Sequence, residues 1–227
     1  MQLQQSLLSQ LSFAALCSYS PHGNGPQDLQ SQDLTYRLKN GGIVSVSGTS
    51  IPIARWIAQR VKTGGVAAEK LNEFFSPSTL LVPVPRSSLM KKGMLWVPMQ
   101  MVEALSEVGL GRVAPLLYRT EAIPKAARSI SSERPKAERH FLTIGVRPHV
   151  EISSDYSGDM LIVDDVITAG ATMLGSASRI KASFPKCRVK GFAGVRTVSL
   201  PSTFMGFVDP RVGQISLGPY GRTIRSP

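Results

Sequence analysis

The stretch Asp159-Met-Leu-Ile-Val-Asp-Asp-Val-Ile-Thr-Ala-Gly-Ala-Thr-Met-Leu-Gly175 decides how this chain folds. Met160 to Val163 is a short unbroken apolar run, as expected of a strand buried on both faces of a parallel sheet. Two adjacent carboxylates, Asp164 and Asp165, stand at its C-terminal end. A small, hydroxyl-rich turn follows: Thr168, Ala169, Gly170, Ala171, Thr172. Met173, Leu174, Ala177 and Ile180 then recur at helical spacing, so a helix is predicted from near Thr172.

A tight turn entering a helix N-terminus points several backbone N–H groups at one spot, at the positive end of the helix dipole. That spot favours a phosphate. Gly170 permits close backbone approach, the alanine side chains are too small to block it, and Thr168 and Thr172 add hydroxyl donors. Asp164 and Asp165 cannot face the phosphate, because like charges repel. They suit the next part of a phosphorylated sugar, through its ring hydroxyls, or a bridging divalent metal.

Leu161 to Met173 resembles the motif with which type I phosphoribosyltransferases bind phosphoribosyl pyrophosphate (PRPP): four apolar residues, two acids, then a Thr/Gly/Ala-rich loop. The resemblance implies that Asp164 and Asp165 hold the ribose hydroxyls and that Thr168, Ala169, Gly170, Ala171 and Thr172 hold the 5′-phosphate. Ala169 departs from the Thr or Gly often found there, a change that a backbone N–H contact survives. Upstream, Leu80 to Val84 reads as a strand entering Pro83-Val84-Pro85-Arg86. This is similar to the pyrophosphate loop of the ComF-type branch and implies that Arg86 faces pyrophosphate oxygens. That branch usually begins with a cysteine-rich zinc ribbon, and this chain has only Cys17 and Cys187, far apart and without metal-ligand spacing.

Composition is ordinary for a globular protein, 42% hydrophobic and 18% charged, and 227 residues suffice for one α/β domain with additions or for two small units. No apolar run is long enough to span a membrane, and residues 1–20 lack the basic start of a secretory signal, so a cytoplasmic protein is expected. The formal net charge of +11 suits ligands with several phosphates, nucleic acid, or simply a solvated basic surface.

Along the chain, residues 1–20 carry Leu3, Leu7, Leu8, Leu11, Ala14 and Ala15 at helical spacing and are predicted as a helix. Pro21 to Ser31 reads as a loop, and Leu34 to Leu38 with Ile43 to Val46 as a hairpin around Asn40-Gly41-Gly42. Ile51 to Val61 and Ala67 to Phe75 read as helices. These parts make an N-terminal addition, residues 1–78, at the place where the family carries a variable hood. The α/β core spans 79–227, with a mostly parallel open sheet flanked by helices and a basic C-terminal tail. Trp96 to Val108 is predicted as a helix, and Val113 to Tyr118 as a strand that Pro115 makes irregular.

Residues 119–140 are basic, rich in Ser and Pro, and weakly periodic, so a loop is expected. At this place in the order the family has a mobile catalytic loop. Arg128, Arg134, Lys136 and Arg139 are its candidates for the pyrophosphate side. Val189 to Val195 is a further strand, and Arg196 at its end is a candidate base-side contact. His140 is isolated in the loop, within reach of a substrate there, although a lone loop histidine is more often idle. One further strand is expected at Gln214 to Leu217, before a tail that reads as a frayed terminus or, less simply, as a basic arm with one aromatic, Tyr220, for stacking.

Two functions follow. The first is a phosphoribosyltransferase with Mg²⁺ bridging PRPP oxygens, an acceptor that the residues do not specify, and the homodimer common in the family. The second is a PRPP- or nucleotide-sensing module that contacts nucleic acid through the basic loop and tail, as in DNA uptake or antiphage defence, without turnover.

Overall fold

The computed structural model describes residues 7–124, 134–148 and 152–227. A seven-stranded sheet forms its centre. The motif strand, Asp159–Ile167 (β8), lies between Leu80–Pro83 (β4) and Arg188–Thr197 (β9), parallel to both. Arg112–Val113 (β5) is parallel beyond β4, and Gln10–Tyr19 (β1) is parallel beyond β9. Val208–Leu217 (β10) and Thr223–Ser226 (β11) continue the sheet antiparallel past β1, giving the order β11-β10-β1-β9-β8-β4-β5. The expected open, mostly parallel α/β sheet is therefore present.

Helices cover both faces. On one face, Ala171–Ser183 (α6) and Ala137–Leu142 (α5) pack over Phe13, Val82, Ile162 and Ala193. On the other, Ile53–Thr63 (α2) and Val97–Glu107 (α4) pack over Leu16, Leu81, Leu161 and Phe192. Alternating residues of each strand thus feed alternate cores, as the pleat requires.

Several expectations are corrected. Residues 10–19 are a strand, not a helix. Phe13, Ala14, Ala15, Leu16 and Cys17 are all fully buried, because β1 has a core on each face and a neighbour on each edge. A strand in that position has no polar side, so its apolar run imitates a helical stripe. This strand, N-terminal to position 78, stands in the same sheet as the motif strand.

Residues 26–39 form a helix, α1 (Pro26–Lys39), where a loop and a strand were expected. Pro26 opens it, and the Asp28 carboxylate accepts the Gly25 N–H at 3.0 Å. Its buried side is Ser31, Thr35 and Leu38, a helical stripe that is mostly polar and so escapes a hydrophobic pattern. Asn40-Gly41-Gly42 remains a turn but closes α1. The Gly42 N–H bonds to Arg37 O and the Gly41 N–H to Leu38 O, with Gly41 at φ 66°, a Schellman cap. The hairpin lies one step later, between Ile43–Val46 (β2) and Thr49–Pro52 (β3).

The helix Val66–Leu71 (α3) leads into a 3₁₀ turn at Asn72–Phe74. Pro115 splits the strand expected at 113–118 into β5 and Leu117–Arg119 (β6), which pairs with Ile144–Val146 (β7). Part of the expected loop is the helix α5. Strand β10 is longer than expected, and the C-terminal residues pair as β11. Among the described residues no helix is long and apolar enough to cross a membrane.

Candidate functional site

Strand β8 ends at the turn Thr168-Ala169-Gly170, and α6 begins at Ala171. Gly170 sits at φ 86°, and a Cβ there would meet the Ile215 side chain of β10 at 2.8 Å. Glycine is thus required twice, by the backbone conformation and by the close approach of β10. The carbonyl of Thr168 is held from β11, where the Arg225 guanidinium donates to it at 2.6 Å.

A cleft of about 400 Å³ opens above this turn. Asp164 and Thr168, Ala169, Gly170, Ala171 and Thr172 form its floor. Arg134, Lys136 and His140 form one wall, and Tyr220, Arg222 and Thr223 another. The expected phosphate loop, one of the two expected acids and two of the expected loop cations therefore meet at one place. Successive strand residues point to opposite faces, which explains why Asp164 lines the cleft while Asp165 does not. Each carboxylate accepts the next backbone N–H at 2.9 Å, Asp164 from Asp165 and Asp165 from Val166. Burial, with the negative Asp165 beside it, pushes the Asp164 carboxyl well above its ordinary value, while Lys39 at the end of α1 opposes the shift.

Arg86 leaves β4 at the same sheet edge as the acids, since β4 and β8 run parallel with Pro83 beside Val163. Its guanidinium donates to Leu95 O within its own turn and does not line the cleft. Arg139 also lies outside the cleft, in an exposed ion pair with Glu121 at 3.0 Å. Arg196 is buried and paired with Asp209 of β10, because its place in the middle of the sheet leaves the cation no route to solvent. The role expected of it at the base side is thus not open to it in this arrangement. Arg128 lies outside the described residues.

The structure adds residues that sequence reasoning left idle or unassigned. His140, expected idle, is buried on α5 with Nε2 3.4 Å from Thr172 Oγ1. Its Nδ1 is 3.4 Å from Arg119 Nη2. Arg119 is 4% exposed and has no carboxylate partner among the described residues. It donates instead to Arg86 O at 3.0 Å and to Thr143 Oγ1 at 2.7 Å. Burial and the Arg119 guanidinium hold His140 down to about 3. Tyr220 is 89% exposed at φ 58°, and its carbonyl accepts Lys136 Nζ at 2.8 Å. The only sequence signal for Tyr220 and Arg222 was an aromatic next to basic residues in the tail. Cys17 and Cys187 are both buried, and burial raises both.

No protein-family model matches the sequence, and no curated protein does. Solved structures do overlap with it. A hypoxanthine phosphoribosyltransferase of Trypanosoma cruzi covers 70% of this chain with 86% of its own, at 12% identity and a TM-score of 0.35. One from Staphylococcus aureus covers 68% with 70% of its own, at 10% identity and a TM-score of 0.32. A hypoxanthine-guanine phosphoribosyltransferase of Bacillus anthracis covers 67% with 77% of its own, at 12% identity and a TM-score of 0.31.

Proposed function

We propose that the chain binds PRPP and transfers its phosphoribosyl group to an acceptor, releasing pyrophosphate. The observation that carries this reading is the union, in one cleft, of Asp164 at the end of β8 with the Thr168–Thr172 turn at the start of α6. The turn's N–H groups and hydroxyls bind the 5′-phosphate. Asp164, with Asp165 behind it, accepts from the ribose hydroxyls and stabilises positive charge as it develops at the anomeric carbon. A carboxyl raised by burial and by a second acid fits a site completed by hydroxyl donors or a divalent cation. Among the described residues no cluster of three ligating side chains would hold a metal without substrate oxygens. Mg²⁺ would come in with PRPP and neutralise charge on its pyrophosphate. Lys136 and Arg134 close over the anion and exclude water, and the Pro83–Arg86 turn receives pyrophosphate at the neighbouring strand end. For Arg86 to take part with its side chain, it must leave Leu95 O.

Calorimetric titration with PRPP, with and without Mg²⁺, tests this on wild type and on Asp164→Asn/Asp165→Asn. Metal-dependent binding lost in the double variant is the expected result. No binding at millimolar PRPP would sink the transferase reading. A second reading, nucleotide or nucleic-acid binding without turnover, draws on the exposed Tyr220 ring beside Arg222 and Lys136 at the cleft, a stacking platform next to cations.

A further inference from the structure

His140 and Arg119 form a buried chain between the two turns that the proposed function assigns to substrate. Arg119 Nε holds Arg86 O in the turn after β4 at 3.0 Å, and its Nη2 reaches His140 Nδ1 at 3.4 Å. His140 Nε2 reaches Thr172 Oγ1 in the turn after β8, again at 3.4 Å. The direction of every proton in this chain can be deduced. A guanidinium can only donate, so His140 Nδ1 must accept. The neutral ring then carries its proton on Nε2 and donates it to Thr172 Oγ1. With that lone pair occupied by a donor, the threonine's own proton is turned away from His140 and is left for an acceptor in the cleft that Thr172 lines.

We propose that His140 is a positioning residue for the phosphate loop: locked by Arg119 in the Nε2–H tautomer, it makes the Thr172 hydroxyl a standing donor to the anion in the cleft. The inference rests on the reading of Thr168–Thr172 as an anion site, and it adds the chemistry that the site selects. A hydroxyl fixed as a donor before the ligand arrives favours an acceptor-only group, such as a phosphate monoester dianion. It also gives the buried guanidinium a purpose. Arg119 is one cation shared by Arg86 O, Thr143 Oγ1 and His140, so the two turns are held in one frame. A doubly protonated His140 would face Arg119 with like charge and with no acceptor for its Nδ1–H. Burial and that neighbour keep the ring neutral through the physiological range.

The test uses ribose 5-phosphate as the probe and the full chain. In wild type, ¹⁵N spectra of the imidazole should show the Nε2–H tautomer with unprotonated Nδ1 at neutral pH. An Nδ1–H ring or an imidazolium there overturns the proposal without recourse to any variant. In calorimetry, His140→Phe and Thr172→Val should each weaken ribose 5-phosphate on the order of tenfold. The double variant should be no worse than Thr172→Val alone, because one interaction is removed twice. His140→Gln, whose amide can donate to Thr172, should recover most of the loss. His140→Phe binding as wild type does, or losses that simply multiply in the double variant, overturns the positioning role while leaving the phosphate-site reading intact. Wild type failing to bind ribose 5-phosphate removes that reading and this one with it.

Discussion

On the proposed reading, the chemistry asked of Asp164 works against its own folding interest. Its folded-state pKa lies above the ordinary value of 3.8, chiefly through burial and then through Asp165. From 3.8 upward the folded state therefore holds more protons than the unfolded one, and stability falls as pH rises through the folded pKa. Asp164→Asn keeps an oxygen for the Asp165 N–H and removes this cost. At pH 7 the variant should be more stable than wild type, by about 1 kcal/mol. The difference should shrink as pH is lowered toward 4, while PRPP binding is lost. Thermal melts at several pH values check this, and a variant that is less stable at pH 7 contradicts it. The acids and the threonine turn were legible in sequence because one strand-turn-helix unit carries them all. His140 and Arg119 were not. They reach Thr172 and Arg86 across separations of 32 and 33 residues, and nothing local to either marks it as buried. Arg196 misled for the opposite reason: a strand end is the right place for a ligand contact, but its Asp209 partner comes from another strand.

At the scale of elements, β8 was readable because its short apolar run is bounded by two acids and a turn, and α6 and α4 because each turns one apolar face to a single core. Strand β1 and helix α1 were not, and each failed by its surroundings. Buried on both faces, β1 loses the alternation that marks a strand, while α1 rests on a seryl and threonyl side that carries no apolar period. The consequence for stability is large. Strand β1 joins the parallel strand β9 to the antiparallel β10, and β10 in turn supplies Ile215 against Gly170 of the turn after β8. A chain starting at Pro21 should therefore fail to give a cooperative melt, whereas a dispensable addition would leave one. Within the full chain, Phe13→Ala should cost about 3–5 kcal/mol, seen as a lower urea midpoint.

For the whole molecule, the question is where the charge of +11 acts. Part of the surface charge is matched: Arg37 with Asp33, Arg55 with Glu107, Lys186 with Asp155 and Arg188 with Asp159 all form exposed ion pairs. Such pairs contribute little to stability and leave no net field for a ligand. Arg134, Lys136 and Arg222 differ, since among the described residues none is ion-paired to a carboxylate and all three line the cleft. Three cations without a carboxylate partner among the described residues therefore stand where the Thr168–Thr172 turn opens. Salt dependence separates the two functional readings on this basis. A single-stranded 5′-phosphorylated oligonucleotide that touches only the cleft meets these three cations, and log K against log salt should then have a slope of about −2. A slope several times steeper means that the basic surface beyond the cleft engages the strand, in favour of the nucleic-acid reading. Lys136→Ala/Arg222→Ala sharpens the comparison. It should flatten the slope toward zero and weaken ribose 5-phosphate if the cleft is the whole anion site, and it should leave a steep slope nearly unchanged if it is not.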